Sequence, residues 1–124
     1  RDTDRSRGLG DVYKRQEFNC PVEATISLIG GKYKSVILFH LMGKTLRYSE
    51  LHKKIPKATD KMLAQQLREL EKDGLIKRTV YPVVPPKTEY NLTEFGESLS
   101  PILNAMCNWG ESYLNIASQC VEES

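Results

Sequence analysis

One change of hydrophobic period, within residues 59–92, constrains the fold of this chain more than any other feature of its sequence. In the first part of this segment, apolar residues are spaced by four and three positions, which places them on one face of a helix: Leu63, Leu67 and Leu70. Thr59 is suited to cap the start of this helix, and Gly74 is suited to end it in the left-handed conformation. Polar and basic side chains recur on the opposite face, at Lys61, Gln65, Arg68 and Lys72. The segment therefore begins with an amphipathic helix whose outer face is cationic.

After Gly74 the hydrophobic period becomes two, which indicates β-strands. Residues 76–81 and 88–92 alternate in this way, and the proline-rich residues 82–86 between them form a turn. A helix, a strand, a tip and a second strand, in this order, are the outline of a winged helix-turn-helix. In that fold the helix enters the DNA major groove, and we expect the tip to contact the flanking backbone.

Four further elements are predicted before this segment. Residues 49–55 form a short helix, and the turn of about four residues that follows it is typical of a helix-turn-helix. Residues 21–29 form a helix that starts at a proline and ends at two glycines. Residues 33–42 are apolar nearly all round and predict a buried central helix, in which His40 is a core or boundary residue. Residues 45–47 are expected to add a short edge strand to the wing.

After the wing, Thr93 is predicted to cap one long helix that runs to Ala117, with Pro101 kinking it or removing one hydrogen bond. Its apolar stripe is wider than a small domain requires for its own core. We therefore expect this helix to form a dimer interface, with the N-terminal helix packing against it, through Ile102, Met106, Trp109 and Tyr113. The predicted fold class is mainly α with a small β wing: a winged helix-turn-helix that dimerises through its terminal helices.

The net charge of +2 is unevenly divided along the chain. Residues 32–88 contain 13 Lys and Arg against 5 Asp and Glu, a net charge of +8. Residues 17–31 carry −2, residues 89–124 carry −6, and residues 1–16 carry the remaining +2. The basic excess lies on the predicted helix-turn-helix and wing, where binding to DNA phosphates would require it.

Six residues are the candidates for DNA binding: Lys57, Thr59, Lys61, Gln65, Arg68 and Lys87. In a major groove, glutamine can bind adenine and arginine can bind guanine, whereas Lys61 or Lys57 is expected to meet a phosphate. Lys87 would reach the flanking backbone or minor groove from the wing. Lys77 and Arg78 are weaker candidates, because exposed lysines and arginines are usually solvated surface charges.

The length of the chain predicts one domain, over residues 17–124. Residues 1–16 are polar and lack an apolar face, so we interpret them as a disordered tail or as a vector or sequence-assembly scar. No apolar run approaches the roughly 20 residues of a membrane-spanning helix, and no signal peptide is evident. We expect a cytoplasmic protein without membrane association.

Three widely spaced cysteines and two histidines show no metal-ligand spacing. No catalytic triad, carboxylate pair or phosphate-binding glycine loop is present either. We therefore expect no metal, no cofactor and no enzymatic activity.

Cys20 falls at the start of the first predicted helix, next to Pro21. Unpaired backbone N–H groups and the positive end of the helix dipole at such a position stabilise a thiolate. The alternative is a small packed residue that happens to contain sulfur, and position alone favours neither.

The chain resembles the HxlR family of MarR-like winged-helix transcription regulators of bacteria and archaea. The resemblance covers residues 20–113 and rests on CPVEATISLIGGKYKSVIL, RYSEL, MLAQQLRELEKDGLIKRTVYPVVPPKTEYNLTEFGESL and NWG. Tyr33 and Lys34 depart from the pattern, which more commonly has Trp and Thr. The resemblance implies a homodimer that binds operators of dyad symmetry. It also implies that a cysteine at the position of Cys20 can sense oxidants or electrophiles, with Cys107 or Cys120 as the thiols that could pair with it.

The sequence thus predicts a DNA-binding transcriptional regulator whose partners are double-stranded DNA, a second copy of the chain and a small oxidant or electrophile. A winged-helix protein–protein interaction module without DNA binding is the alternative. That module would need an apolar or acidic recognition face, against which Lys61, Gln65 and Arg68 argue.

Overall fold

The computed structural model describes residues 18–123, with side chains described as far as residue 115. Six helices and three strands follow one another in the described chain: α1 (Pro21–Ile29), α2 (Lys34–Leu41), β1 (Leu46–Arg47), α3 (Tyr48–Lys54), α4 (Asp60–Lys72), β2 (Ile76–Tyr81), β3 (Lys87–Leu92), α5 (Glu94–Glu97) and α6 (Ser100–Glu123). The predicted tail or scar at residues 1–16 lies outside the described residues, as does the side chain of Cys120.

Helix α4 ends as its sequence predicts. Gly74 has a φ of +80°, a conformation in which a residue with a Cβ is strained. Its N–H bonds the Glu71 carbonyl at 3.0 Å, and the Leu75 N–H bonds the Leu70 carbonyl at 3.0 Å. These two bonds form a Schellman motif, which satisfies carbonyls that the helix end leaves free.

The strands form one antiparallel sheet in the order β1-β3-β2. In β2 and β3, Ile76 lies opposite Leu92 and Tyr81 lies opposite Lys87. In the shorter pair, Leu46 of β1 lies opposite Tyr90. The predicted winged helix-turn-helix, including its edge strand, is therefore confirmed.

One apolar core joins the helices to this sheet. The three inward leucines of α4 are buried, as their spacing predicts, and they pack with the following buried residues: Ile29, Ile37, Leu38, Leu41, Leu46, Leu51, Ile55, Ala58, Leu75, Ile76, Tyr90, Leu92 and Leu103. Helix α2 is central to the core, although Val36 on its outer side is exposed. His40 lies at the boundary, where burial and the nearby Lys54 and Lys44 lower its pKa.

The prediction of one continuous helix after the wing is wrong, because the structure has two helices there. Thr93 caps only the short α5, where its hydroxyl accepts the Gly96 N–H at 3.0 Å. Residues 98–99 form a turn that interrupts the helix. A new helix begins at Ser100 and continues past Ala117 to Glu123. Pro101 therefore sits in the first turn of α6, where its missing N–H costs nothing, and it does not kink the interior of a helix.

Candidate nucleic-acid interface

The outer face of α4 is polar and open to solvent. Thr59 caps the helix, and its hydroxyl accepts the Met62 N–H at 3.1 Å. Beyond this cap, a row of exposed side chains follows the helix: Lys61, Gln65, Arg68 and Lys72. Lys57, in the turn before α4, is also exposed. The structure thus brings five of the six predicted DNA-binding residues together on and beside one helix.

The first turn of α4 is tied to α3 by a polar cluster that sequence reasoning missed. The Tyr48 hydroxyl donates to Asp60 Oδ1 at 2.9 Å, and burial together with this hydrogen bond raises the pKa of Tyr48 to about 12. His52 Nδ1 lies 3.2 Å from the same carboxylate oxygen, and His52 Nε2 lies 2.9 Å from the Ala58 carbonyl oxygen. The cluster fixes the angle between the two helices of the helix-turn-helix.

A second polar cluster lies further along α4. Gln65 Nε2 donates to Glu69 Oε2 at 3.2 Å, and Lys34 Nζ on α2 lies 2.7 Å from Glu69 Oε1. One residue before Lys34, the Tyr33 N–H donates to Gln66 Oε1 at 3.0 Å. Sequence reasoning missed the two contacts between α2 and α4, because no local pattern links residues more than thirty positions apart. It also overlooked the pair of Gln65 and Glu69, although their spacing of four places them on one face of α4.

The sixth predicted residue, Lys87, is placed differently from the others. It lies at the start of β3, next to the wing tip, where its ammonium is 3.3 Å from Glu89 Oε2 and 4.9 Å from the centre of the Tyr81 ring. Its charge is therefore partly compensated within the wing.

Arg47 is a basic side chain near the wing that the sequence analysis did not select. It is exposed on β1 and lines, with the wing tip and the start of α3, a groove of about 500 Å³. Its place in the predicted edge strand beside the wing was the signal that could have found it.

The predicted sensing thiol, Cys20, is the N-cap residue of α1 and is exposed. No side chain caps this helix, and the Cys20 carbonyl accepts the Glu23 N–H at 2.9 Å. Cys107 is a free, half-buried thiol on α6, with Sγ 3.9 Å from Glu111 Oε1.

Helix α6 exposes a continuous apolar face. Leu103 faces the core, whereas Met106 is 46% exposed and Trp109 is 71% exposed. The rings of Trp109 and Tyr113 stack on one another at 5.6 Å, and both remain open to solvent. Ile102 and Met106 also line a groove of about 440 Å³ together with residues of α1, including the exposed Val22 and Ile26. All four residues predicted to form a dimer interface therefore lie on this face.

Metal-binding clusters and membrane-spanning helices are both absent from the part of the chain that the structure describes. There, no group of three or more His, Cys, Asp and Glu side chains could hold a metal ion. No described helix has the length and apolar character needed to cross a membrane.

Comparison with known proteins identifies the family. A family model for the HxlR-like helix-turn-helix matches residues 28–118. The chain belongs to the HxlR-like helix-turn-helix family. YdeP of Bacillus subtilis (strain 168), described as an uncharacterized HTH-type transcriptional regulator, is 52% identical over 110 residues, which are 88% of this chain and 86% of YdeP. The resemblance stated from the sequence is thereby confirmed.

Two solved structures of the redox regulator HypR are similar to this HxlR-like chain. The oxidized form is 50% identical, with a TM-score of 0.72, and the match covers 75% of this chain and 96% of that one. The reduced form is 46% identical, with a TM-score of 0.75, and the match covers 81% of this chain and 99% of that one. Members of the family are transcriptional regulators and not enzymes, which confirms the prediction of a non-enzymatic regulator.

Proposed function

We propose that this HxlR-like protein binds double-stranded DNA as a homodimer, on an operator of dyad symmetry, and so regulates transcription in the cytoplasm. The observation that carries this proposal is the exposed cationic face of α4. Lys61, Gln65 and Arg68 point away from the three buried leucines of the same helix. Helices of this kind enter the major groove with such residues against base edges. An acidic or apolar face, which the protein–protein alternative needs, is absent from the described part of α4.

The homodimer is supported by the apolar face of α6. An exposed stripe of aromatic and aliphatic side chains is costly in water, and contiguous patches of this kind mark interfaces. The stripe continues onto α1 through Val22 and Ile26. On an operator of dyad symmetry, the two α4 helices of such a dimer would have to lie about 34 Å apart on one side of the duplex.

Selection of bound duplexes from genomic fragments, followed by titration at several salt concentrations, tests this function. If six or more phosphates are contacted, the association constant should fall by about 10³-fold or more between 50 and 200 mM salt. The Arg68→Ala variant should relax the sequence preference by about 1–3 kcal/mol if Arg68 binds a base edge. The Lys87→Ala variant should instead weaken binding to all DNA sequences by a similar factor. Binding that does not depend on salt, or no bound fragment, contradicts the proposal.

We also propose that Cys20 is a sensing thiol for oxidants or electrophiles. Its exposure allows small reagents to reach it, and its N-cap position places the sulfur at the positive end of the α1 dipole. The similar HypR is described as a redox regulator. Because α1 shares a groove with α6, a modification at Cys20 lies close to the proposed dimer interface.

Alkylation rates across pH test the role of Cys20. Wild type and Cys20→Ser are compared, with Cys107→Ser as the matched control for a thiol on α6. We expect Cys20 to react faster than a free cysteine, and diamide to change operator binding in wild type but not in Cys20→Ser. The response of Cys107→Ser distinguishes the two thiols that could pair with Cys20, because it is lost if Cys107 is the partner and kept if Cys120 is. If Cys20 reacts no faster than a free cysteine and diamide leaves binding unchanged, Cys20 is not the sensor.

A further inference from the structure

The candidate base-contacting side chain in the middle of α4, Gln65, is held by a chain of contacts that starts inside the protein. Lys34 on α2 is only 7% exposed, and its Nζ lies 2.7 Å from Glu69 Oε1. The other oxygen of the same carboxylate, Oε2, accepts a hydrogen bond from Gln65 Nε2 at 3.2 Å. The contacts therefore run from the core to the exposed face of the helix.

The position of Lys34 relative to α4 is fixed by its surroundings. The Tyr33 N–H donates to Gln66 Oε1 at 3.0 Å, so the start of α2 is bonded directly to α4. A Cβ on Gly31 would lie 2.6 Å from the same Gln66 oxygen and 2.9 Å from the Lys34 side chain, which shows how closely the two elements approach. Glu69 consequently has a rigid partner on its inner side.

This arrangement determines which end of the Gln65 amide faces outward. An ionised carboxylate accepts hydrogen bonds and donates none, so only the NH₂ group of the amide can face Glu69. The hydrogen bond from Lys34, and next the one from Gln65, lower the pKa of Glu69. A glutamate is already ionised at neutral pH, so this carboxylate only accepts hydrogen bonds there. The Gln65 carbonyl oxygen and its second N–H remain available to a ligand.

We propose that Lys34 and Glu69 are positioning residues that fix the Gln65 amide for binding adenine in the operator. In the major groove, adenine presents an amino group at N6 and an acceptor at N7. Gln65 Oε1 accepts from the N6 amino group, and the N–H that Glu69 does not use donates to N7. Guanine presents two acceptors, thymine one acceptor and a methyl group, and cytosine one amino group, so none of them offers this pair. The inference rests on the proposed DNA binding and specifies one contact within it.

Without Glu69, the amide could rotate by half a turn and present its NH₂ group to guanine or thymine. The pair of Lys34 and Glu69 therefore contributes to discrimination between bases more than to affinity. A positioning role therefore predicts that loss of Lys34 or Glu69 changes the base preference. A merely structural role predicts that it weakens binding to every sequence by a similar factor.

Selection from a randomised duplex pool tests the proposal with the full chain. Wild type, Gln65→Ala, Glu69→Ala and Lys34→Met are compared, and the position whose preference disappears in Gln65→Ala is the one that Gln65 contacts. We expect adenine there in wild type. We also expect Glu69→Ala and Lys34→Met to broaden the preference at that position alone. Lys72→Ala, which removes an exposed charge from the same helix, should leave that preference unchanged.

A base analogue gives the second measurement. Replacing that adenine by purine, which lacks the 6-amino group, should weaken wild-type binding by roughly 5- to 150-fold. It should change binding of Gln65→Ala by less than about twofold, because the contact is already gone. If Glu69→Ala does not fold, Glu69→Gln serves in its place, since a glutamine at this position can present either end of its amide to Gln65.

Three results overturn the inference: a base other than adenine at the Gln65-dependent position, no Gln65-dependent position, or an unchanged preference in the folded Glu69 variants. Salt-dependent binding to selected duplexes would persist in all three cases and would leave the proposed function intact. No bound duplex at all would overturn both.

Discussion

Asp60 is an acidic residue at the start of a helix whose exposed face is otherwise mainly basic. At this position a carboxylate is favourable for the helix dipole but unfavourable beside DNA phosphates. Tyr48 and His52 both turn polar atoms toward it, at 2.9 Å and 3.2 Å. Asp60 thus stabilises the helix start, and Tyr48 and His52 contact one oxygen of its carboxylate, although the side chain stays exposed to solvent.

Tyr48→Phe tests this arrangement. Loss of a hydrogen bond to a charged but partly exposed group should lower the free energy of unfolding by about 1 kcal/mol at pH 7. The folded-state pKa of Tyr48 is raised to about 12 from an ordinary 10.0. A raised pKa gives stability that is fully present below the ordinary value and is lost as pH rises through the folded value.

The difference in unfolding free energy between wild type and Tyr48→Phe should therefore be constant up to about pH 10 and should shrink between pH 10 and 12. Urea unfolding at a series of pH values measures it. Tyr33→Phe is the matched control, because it removes the hydroxyl of another half-buried tyrosine that lies outside the proposed dimer interface. If the difference in unfolding free energy instead grows between pH 10 and 12, the Tyr48 hydroxyl does not donate a hydrogen bond to Asp60 as described.

At the scale of the elements, the short helix α5 depends on a glycine that packs against backbone. A Cβ on Gly96 would collide with the Leu75 carbonyl oxygen, which is part of the chain and cannot move aside as a side chain can. Thr93 strengthens the same junction, since its hydroxyl donates to the Gly74 carbonyl at 2.6 Å and its N–H donates to the Leu75 carbonyl at 3.1 Å.

Gly96→Ala should therefore lower the free energy of unfolding by about 1–3 kcal/mol, because the added methyl group forces the two segments apart. Chemical denaturation with circular dichroism measures the change. Glu97→Ala, at an exposed neighbouring position of α5, should change stability by less than about 0.5 kcal/mol. Equal effects of the two substitutions would show that Gly96 does not pack as described.

Elements with strong local signals were predictable from the sequence. The leucine spacing and Gly74 defined α4, and the alternation on both sides of the prolines defined the wing. The junction at residues 98–99 was missed although Thr93 and Pro101 are both residues of helix starts, because one continuous apolar stripe suggested one helix. Contacts such as Lys34 with Glu69 were not predictable, since burial and tertiary packing create them and no local period records them.

At the scale of the whole molecule, the proposed dimer depends on the apolar face of α6. Trp109→Glu should give a monomer or an insoluble protein, because a carboxylate within an apolar interface would have no partner. Sedimentation at micromolar concentration measures the oligomeric state. Val84→Glu introduces the same charge at the fully exposed wing tip and should leave the oligomeric state unchanged. A wild type that sediments as a monomer would contradict the dimer.

The junction described above, in which Thr93 and Gly96 pack against Gly74 and Leu75, affects which operators the proposed dimer can bind. It bonds the segment after α4 to the residue that follows β3, at the base of the wing. The angle between helix and wing is therefore kept unless these bonds break. In the proposed dimer, we expect a chemical signal at α1 to change the distance between two such units more than the angle between helix and wing within each unit. Modified and unmodified protein should accordingly select the same half-site and differ in the number of base pairs that they accept between two half-sites.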